Sequence, residues 1–340
     1  MRISKIVNSL ALALPVITIG LGFINETFFY FAYYAFALTA FIQFGIALFI
    51  ILDNPKNVYI QLYFLGLLLT ILVVFFSRFI NLAWILPCIL CVYLSIVIYA
   101  SPPQKSSFMR AEWNDLVFIN YEIDPKFLEK YVPKGTELDL WNGKCYLSLI
   151  GFMFENVRVL GFKIPFHVNF EEVNLRFYVK RNDKGIWKRG VVFIKEIVPK
   201  HAITFVANTL YNEHYQTLPM QHARTVSEKE RHFSYRWKKG NTWNTIAATT
   251  HSDASPILEN SEAEFITEHY YGYTISPRKK TVEYEVTHPR WHQYLVKNYS
   301  CTVDFETVYG NEFAFLQDIK PASCFVAKGS KITIESKQIV

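Results

Sequence analysis

Four charge-free apolar runs follow one another at the start of this chain, roughly Ile6 to Ile24, Phe28 to Leu52, Val58 to Ser77 and Phe79 to Ala100. Each approaches the roughly 20 residues that a helix needs to cross about 30 Å of hydrocarbon, and lipid leaves backbone groups no partner except their own i to i+4 bonds. The runs predict a four-helix transmembrane anchor over residues 1–101. The first has the basic start of a signal peptide, but it lacks a small-residue cleavage site and three further runs follow, so it reads as a retained span. Four spans place both ends of the region on one side. That side collects Arg2, Lys5, Lys56, Lys105 and Arg110, against Arg78 alone on the other. The positive-inside bias then predicts a multi-pass protein of the cell membrane, with the N-terminus and the C-terminal domain in the cytoplasm.

Within the runs no ionisable residue marks an ion or substrate path, which argues against a pump or channel. Gln43, Gln61 and Asn81 are the amides expected to bond between helices. Cys88 and Cys91 form a C-x-x-C beside Pro87, but in an apolar helix without the strand and turn context of a redox fold. The aromatic run from Phe28 to Phe36 reads as an interfacial belt.

Residues 102–107 form a Pro/Ser linker, and composition changes across it. Of 35 Lys and Arg and 29 Asp and Glu, 31 and 27 lie beyond residue 101, so the remainder is nearly balanced and interleaved. That is no footprint for nucleic acid. Cys145, Cys301 and Cys324 leave an odd count, as expected of a reducing compartment. From residue 108 to 340 short strands dominate: Trp113 to Tyr121, a hairpin around Asn142-Gly143, Phe170 to Val198, Met220 to Val226, Arg231 to Lys238, Thr242 to Thr250, Thr281 to Thr287, Cys301 to Phe305, Cys324 to Ala327 and Lys331 to Glu335. Helices are expected after Asp124-Pro125, over His201 to Tyr211 and over Glu262 to Glu268. Many short strands and few helices predict a mainly antiparallel β (α+β) barrel or sandwich.

The hairpin from Phe170 to Val198 carries the main candidate site. Glu172, Asn174 and Arg176 alternate with Val173, Leu175 and Phe177, so they share one face of a strand, and the return strand is apolar apart from Lys195 and Glu196. The polar row faces either water, as an ordinary half-exposed strand does, or an enclosed polar cavity. Arg176 in a cavity would grip a carboxylate through two parallel hydrogen bonds, with Asn174 and Glu172 orienting it.

MRAEWNDLVF from Met109, PKGTELDLWNGKCYLSL from Pro133, EVNLRFYV from Glu172, GVVFIKEIVPK from Gly190, LYNEHY from Leu210, EFITEHYYGYT from Glu264 and YEVTHPRW from Tyr284 together resemble the YqjF-like family of uncharacterised bacterial proteins over residues 108–340. That family is distantly similar to acetoacetate decarboxylase. The resemblance implies a curved antiparallel β fold around an internal cavity. It also implies a possible chemistry, a Schiff base between a β-keto acid and the lysine of a Pro-Lys-Lys run. Pro199-Lys200 is the nearest match here, followed by His201 in place of the second lysine. Lys200 is thereby a candidate nucleophile, with Glu196 or Glu268 as its acid–base partner.

Glu264, Glu268 and His269, followed by Tyr270, Tyr271 and Tyr273, supply either groups for a cavity, with His269 and Tyr273 as ligand contacts, or a hydrogen-bond network closing a barrel end. Glu213-His214 reads as a turn after the helix or a cavity rim. His288 and His292 have metal-ligand spacing, but Pro289 breaks the helix it needs. No nucleotide loop or nucleophile elbow occurs, and no cofactor is implied. Three readings remain: a sensor or binding module for a small, partly apolar carboxylate; a lyase acting through Lys200; and a non-catalytic interaction module with a filled core. The implied partners are the lipid bilayer and a small acid, not nucleic acid.

Overall fold

A computed structural model describes residues 2–53, 57–76, 80–100 and 107–340. The chain divides into two compact units on either side of residue 106. Of the expected linker 102–107, Ser107 belongs to the first strand and the rest, with Lys56, Arg78 and Lys105 of the topology argument, lies outside the described residues.

The first unit is helical: α1 (Arg2–Gly22), α2 (Thr27–Asp53), α3 (Val58–Phe76) and α4 (Ile80–Ala100). Two stretches, Ser4–Gly22 and Tyr30–Leu48, are long and apolar enough to cross a membrane, while the described apolar stretches of the other helices, Val58–Ile71 and Leu86–Ala100, are shorter. The expected four spans thus reduce to two helices that meet the length criterion. Inside the unit Gln43 Nε2 donates to Asn8 Oδ1 (2.8 Å) and Ser95 Oγ (3.1 Å), which ties α1, α2 and α4 together. The bond between helices expected of Gln43 is present, and it spares buried polar groups in an apolar bundle.

The second unit is built on β1 (Ser107–Ile123), β2 (Glu137–Leu138), β3 (Cys145–Val159), β4 (Phe170–Asp183), β5 (Ile186–Val198), β6 (Tyr215–Thr217), β7 (Met220–Val226), β8 (Glu230–Lys239), β9 (Thr242–Pro256), β10 (Tyr271–Ile275), β11 (Thr281–Thr287), β12 (His292–Thr302), β13 (Ser323–Glu335) and β14 (Gln338–Ile339). The pairing order is β14-β11-β10-β5-β4-β3-β1-β13-β12-β9-β8-β7. A further pairing of β11 with β13, through Val286–Ile334 and Thr287–Thr333, closes β11, β10, β5, β4, β3, β1 and β13 into a ring. Closure removes the exposed edges an open sheet would carry. The remaining strands β12, β9, β8 and β7 continue as an arm from β13.

The side-chain alternation of the barrel strands sends residues into two cores. Val173, Leu175, Phe177 and Val179 of β4 join Val117, Ile119, Leu147 and Leu149, and this layer packs against Phe233, Tyr235, Trp237 and Ile246 of the arm. The opposite face joins Phe118, Tyr146, Ile150, Tyr178, Val198 and Phe265. Barrel and sandwich therefore coexist, each using one face of the same strands. β1 stays paired over 17 residues through two register shifts, and Asp115 takes a left-handed φ of 57° at one of them. Gly329 is required at the crossing of β13 over β1, where a Cβ would lie 1.9 Å from the Trp113 carbonyl oxygen.

Several expected boundaries move. The strand expected at Cys301 to Phe305 is the tail of β12, and Asp304 there caps α8 (Phe305–Tyr309), its side chain accepting from Thr307 N at 2.9 Å. The two strands expected at 324–335 are one, because Gly329 lets the chain pass without breaking its pairing with β1. Asp124-Pro125 starts α5 (Pro125–Leu128) as expected. The helix at His201 begins as α6 (His201–Val206), but Ala207–Tyr211 widens into a π turn and Asn212 ends it in the left-handed conformation. α7 (Glu262–Thr267) is capped by Ser261.

Candidate functional site

The polar row faces inward. Glu172 and Asn174 are 2% exposed and Arg176 9%. Their neighbours across the β4–β5 ladder put Glu196 opposite Asn174, so a fourth polar side chain joins the row. After β5 the chain turns through α6 and its π turn and returns as β6, parallel to β5. Asn208 holds that return, donating to Tyr215 O (2.9 Å) and accepting from Tyr215 N (2.8 Å), and Thr204 bonds Thr217 at 2.7 Å. This brings Glu213 and Tyr215 over Glu172 and Glu196. Tyr284 of β11 completes the group, its ring lying over Gly272, where any Cβ would collide with it.

Glu172 accepts from Asn174 Nδ2 and from the Tyr215 hydroxyl, each at 3.0 Å. Burial nonetheless raises its pKa to about 7 against the pull of Asn174, Tyr215 and the Arg176 cation. Glu213 is raised to about 8 by burial, opposed by the Tyr284 hydroxyl and reinforced by Glu172. Glu196 is raised well above the carboxylate range by burial, Glu213 and Glu172, and its Oε2 has no hydrogen-bond partner. Removing an ion from water costs several kcal/mol unless it is paired, so burial shifts all three acids toward their neutral forms.

Among the described residues Arg176 forms no ion pair and its Nε has no partner. Its guanidinium lies 5.7 Å from the centroids of both the Phe118 and Tyr178 rings. Tyr178 is fixed by a hydrogen-bond chain through the barrel: its hydroxyl donates to Ser148 (2.7 Å), Ser148 to Asn120 (2.7 Å), and Asn120 to Ser323 (2.9 Å). On the other side of Tyr178 stands His269, ring centroids 4.7 Å apart. His269 Nε2 bonds Asp139 Oδ2 at 3.1 Å, and Asp139 also accepts from Arg189 Nε at 2.7 Å. Burial lowers the His269 pKa to about 4 despite Asp139, with Arg189 and Arg176 adding to the fall. The neutral ring with its proton on Nε2 leaves Nδ1 a bare acceptor, and Nδ1 is buried without a partner.

Glu172, Asn174, Arg176 and Glu196 are thus brought together, with His269 nearby. Tyr273 is not part of this group: its hydroxyl donates to Glu283 at 3.0 Å within a separate ion-pair cluster. Glu268 accepts from the Tyr270 hydroxyl at 2.5 Å and sits beside Arg290, which also pairs with Glu264, so those two acids are engaged by their own neighbours. Lys200 is the half-buried residue before α6 and pairs with neither Glu196 nor Glu268. The two concavities described, one along Leu12, Val92 and Tyr99 and one along Pro133 to Leu138, are lined by none of the site residues. The resemblance led to an expected internal cavity; beside Arg176 the structure places the Phe118 and Tyr178 rings.

Sequence reasoning missed Asp139, Tyr215 and Tyr284, which come from elements far apart in the chain. It also passed over Lys195, which faces the opposite core: its Nζ donates to the Val308 carbonyl and lies 5.8 Å from the Tyr309 ring centroid. Burial lowers its pKa, and Lys239 adds to the effect.

Residues 110–331 match the family model DUF2071, described as an uncharacterised conserved protein. An uncharacterised protein of Bacillus subtilis, YqjF, is 31% identical over 216 residues, 61% of this chain and 83% of that one. The fold is similar to an acetoacetate decarboxylase-like enzyme from Sphingomonas wittichii, at TM-score 0.48 and 11% identity over 69% of this chain and 93% of that one. It is likewise similar to acetoacetate decarboxylase from Legionella pneumophila, at TM-score 0.46 and 13% identity over 71% and 92%.

Proposed function

The chain belongs to the DUF2071 family, and for this member we propose that the barrel interior binds a small, partly apolar carboxylate on Arg176. The observation that carries the reading is a buried guanidinium without an ion pair, its Nε unpartnered, beside three buried acids that burial shifts toward the neutral form. Such a site has one uncompensated positive charge, and an entering carboxylate would both neutralise it and accept hydrogen bonds from the protonated glutamates. Phe118 and Tyr178 would flank the apolar part of the ligand, and His269 Nδ1 is an acceptor for a hydroxyl or N–H. Entry requires the cover to move. The described residues of α6 are all at least partly exposed and Phe205 there is 70% exposed, so this segment gives up little buried apolar area on opening.

The test is a panel of short aliphatic and aromatic carboxylates, with their amides as controls, measured by thermal shift and native mass spectrometry on the full chain. Acids and not amides should stabilise the protein, and Arg176→Ala should weaken binding at least tenfold, as loss of a charge-assisted bidentate contact does, with secondary structure unchanged. Unchanged binding by Arg176→Ala would falsify the reading. Borohydride trapping with β-keto acids separates it from the lyase reading: a reduced adduct mapped to Lys200, with Glu196 as neighbour, would replace binding by covalent catalysis.

For the first unit the finer reading is four spans with both chain ends cytoplasmic, supported by the apolar character of all four helices and by the excess of basic residues on one side. Protease protection of a C-terminal tag in sealed inverted and right-side-out vesicles tests it, and a tag cleaved from outside intact cells would reject it.

A further inference from the structure

The connection between β3 and β4 carries a run of exposed apolar residues. Leu160, Phe162 and Ile164 are all exposed, and Phe166 is 89% exposed. Apolar side chains scattered singly on a surface need no explanation, but four at alternate positions in one loop do. The backbone is set to present them. Val159 and Phe162 bond each other's main chain at 2.9 and 3.0 Å, and Leu160 and Phe166 hold left-handed φ values of 51° and 64°, which bulky residues seldom adopt. No acidic residue lies between Glu155 and Glu171, whereas Arg158 and Lys163 fall within that interval and are exposed. Arg110 of β1 is paired opposite Arg158, so a third cation stands at the base of the loop.

The loop also has a defined place in the chain. Leu160 N donates to the Phe108 carbonyl at 2.9 Å, so the loop is hydrogen-bonded to the start of β1.

We propose that loop 160–167 is a bilayer-contact element. Phe162, Ile164 and Phe166 enter the boundary between headgroups and acyl chains, and Arg158 and Lys163 lie on anionic headgroups. Aromatic and aliphatic side chains next to cations are the composition that interfacial segments use, combining burial of apolar area with attraction to anionic lipid. The proposal rests on the reading of the N-terminal helices as a membrane anchor.

The experiment uses the full chain in nanodiscs containing phosphatidylglycerol. An environment-sensitive dye is placed at Phe166→Cys and, separately, at Ile186→Cys. Ile186 is also well exposed but begins the strand after β4, whose 14 residues span on the order of 45 Å. Labelled protein without either substitution supplies the background from the native thiols, the exposed Cys88 and the partly exposed Cys91, Cys301 and Cys324. The Phe166→Cys probe should shift to the blue and be quenched severalfold by spin-labelled lipid, while the Ile186→Cys probe keeps its value in water. A probe at Phe166→Cys that reads water overturns the proposal. So does one that is shielded but not quenched from lipid, since it would be touching protein, a second copy for instance. Release of the chain from membranes by an alkaline wash removes the anchor and the proposal together. Retention with a water-exposed Phe166→Cys probe removes the proposal alone.

Discussion

Two groups of buried glutamates in the barrel unit have opposite chemistry. Glu283 on β11 is 1% exposed and receives Arg181 Nε (2.9 Å), Lys188 Nζ (2.9 Å), Tyr273 Oη (3.0 Å) and Gln338 Nε2 (2.8 Å). Burial alone would raise its pKa, but the donors from Lys188, Arg181, Gln338 and Tyr273 outweigh burial and hold it below the usual value. Glu172, Glu196 and Glu213 are as deeply buried with one cation near them and no ion pair, and they are displaced upward. Burial acts upward in both groups, and around Glu283 the donors and cations outweigh it while around the other three they do not. A carboxylate saturated by its own protein has nothing left for a ligand; a cation whose neighbours are neutral does.

The largest effect that sharpens this contrast is expected at Glu283. Glu283→Gln strips the charge that compensates Arg181 and Lys188, and breaking a buried ion pair from one side costs about 3 to 5 kcal/mol. Chemical unfolding followed by tryptophan fluorescence should show a loss of that order. A loss below about 1 kcal/mol would mean that Asp183, which pairs with Arg181 at 3.3 Å and Lys188 at 2.7 Å, satisfies those cations together with solvent and without Glu283.

Next in size is the pH dependence. The folded-state values of Glu172 and Glu213, about 7 and about 8, lie above the unfolded carboxyl value of about 4.3. The folded state therefore binds more protons than the unfolded one over that interval, and stability falls as pH rises through it, by about 1.4 kcal/mol per pH unit for each carboxyl concerned. His269 and His288, both lowered to about 4 by burial, act in the opposite sense between about 4 and 6.5, because they must charge when the chain unfolds. The two contributions oppose each other below pH 6.5 and only the glutamates remain above it. Stability should decline from pH 6.5 to 8, and the decline should flatten in Glu172→Gln and Glu213→Gln. A curve that stays flat over that range would place these carboxyls in the ionised group with Glu283.

How much of this could be read from the chain follows from what each signal requires. The alternation of Glu172, Asn174 and Arg176 needs only a two-residue period and was plain, as were the closing hairpin and the Asp124-Pro125 cap. Which face that alternation turned to the core was not, since one polar row serves a solvated sheet or a closed barrel equally well. Closure is settled by Val286 and Thr287 meeting Ile334 and Thr333, a pairing across nearly 50 residues that leaves no local trace. Glu213 was visible in LYNEHY as a turn or rim residue, but its partners Glu172 and Tyr284 come from other strands. Tyr273 and His269, close in sequence, go to different clusters because the chain passes from α7 into β10 between them and β10 alternates its faces. Asp139 gave no signal, being one acid among several near a short strand. Of the apolar N-terminal runs, helicity was legible from length and composition, while two of the four resulting helices satisfy the span criterion.

The smallest predicted effect is the most discriminating. Glu196→Gln replaces a carboxyl by an amide of nearly the same shape. If Glu196 is protonated in the fold, as burial and the neighbouring Glu213 and Glu172 demand, the substitution exchanges one neutral group for another at pH 6. The stability change there should stay within about 1 kcal/mol, the ordinary range for altering one hydrogen-bonding group. At pH 8, above the value of about 7 for Glu172 and at that of about 8 for Glu213, the wild type bears the cost of ionised neighbours, and the variant should equal or exceed it. Glu283→Gln should be destabilising at both pH values. The pair of curves therefore separates a carboxyl retained for its proton from one retained for its charge. If Glu196→Gln instead costs 3 kcal/mol or more at pH 6, Glu196 is an anion in the fold, Arg176 is already neutralised, and no charge is left in the barrel for a carboxylate ligand.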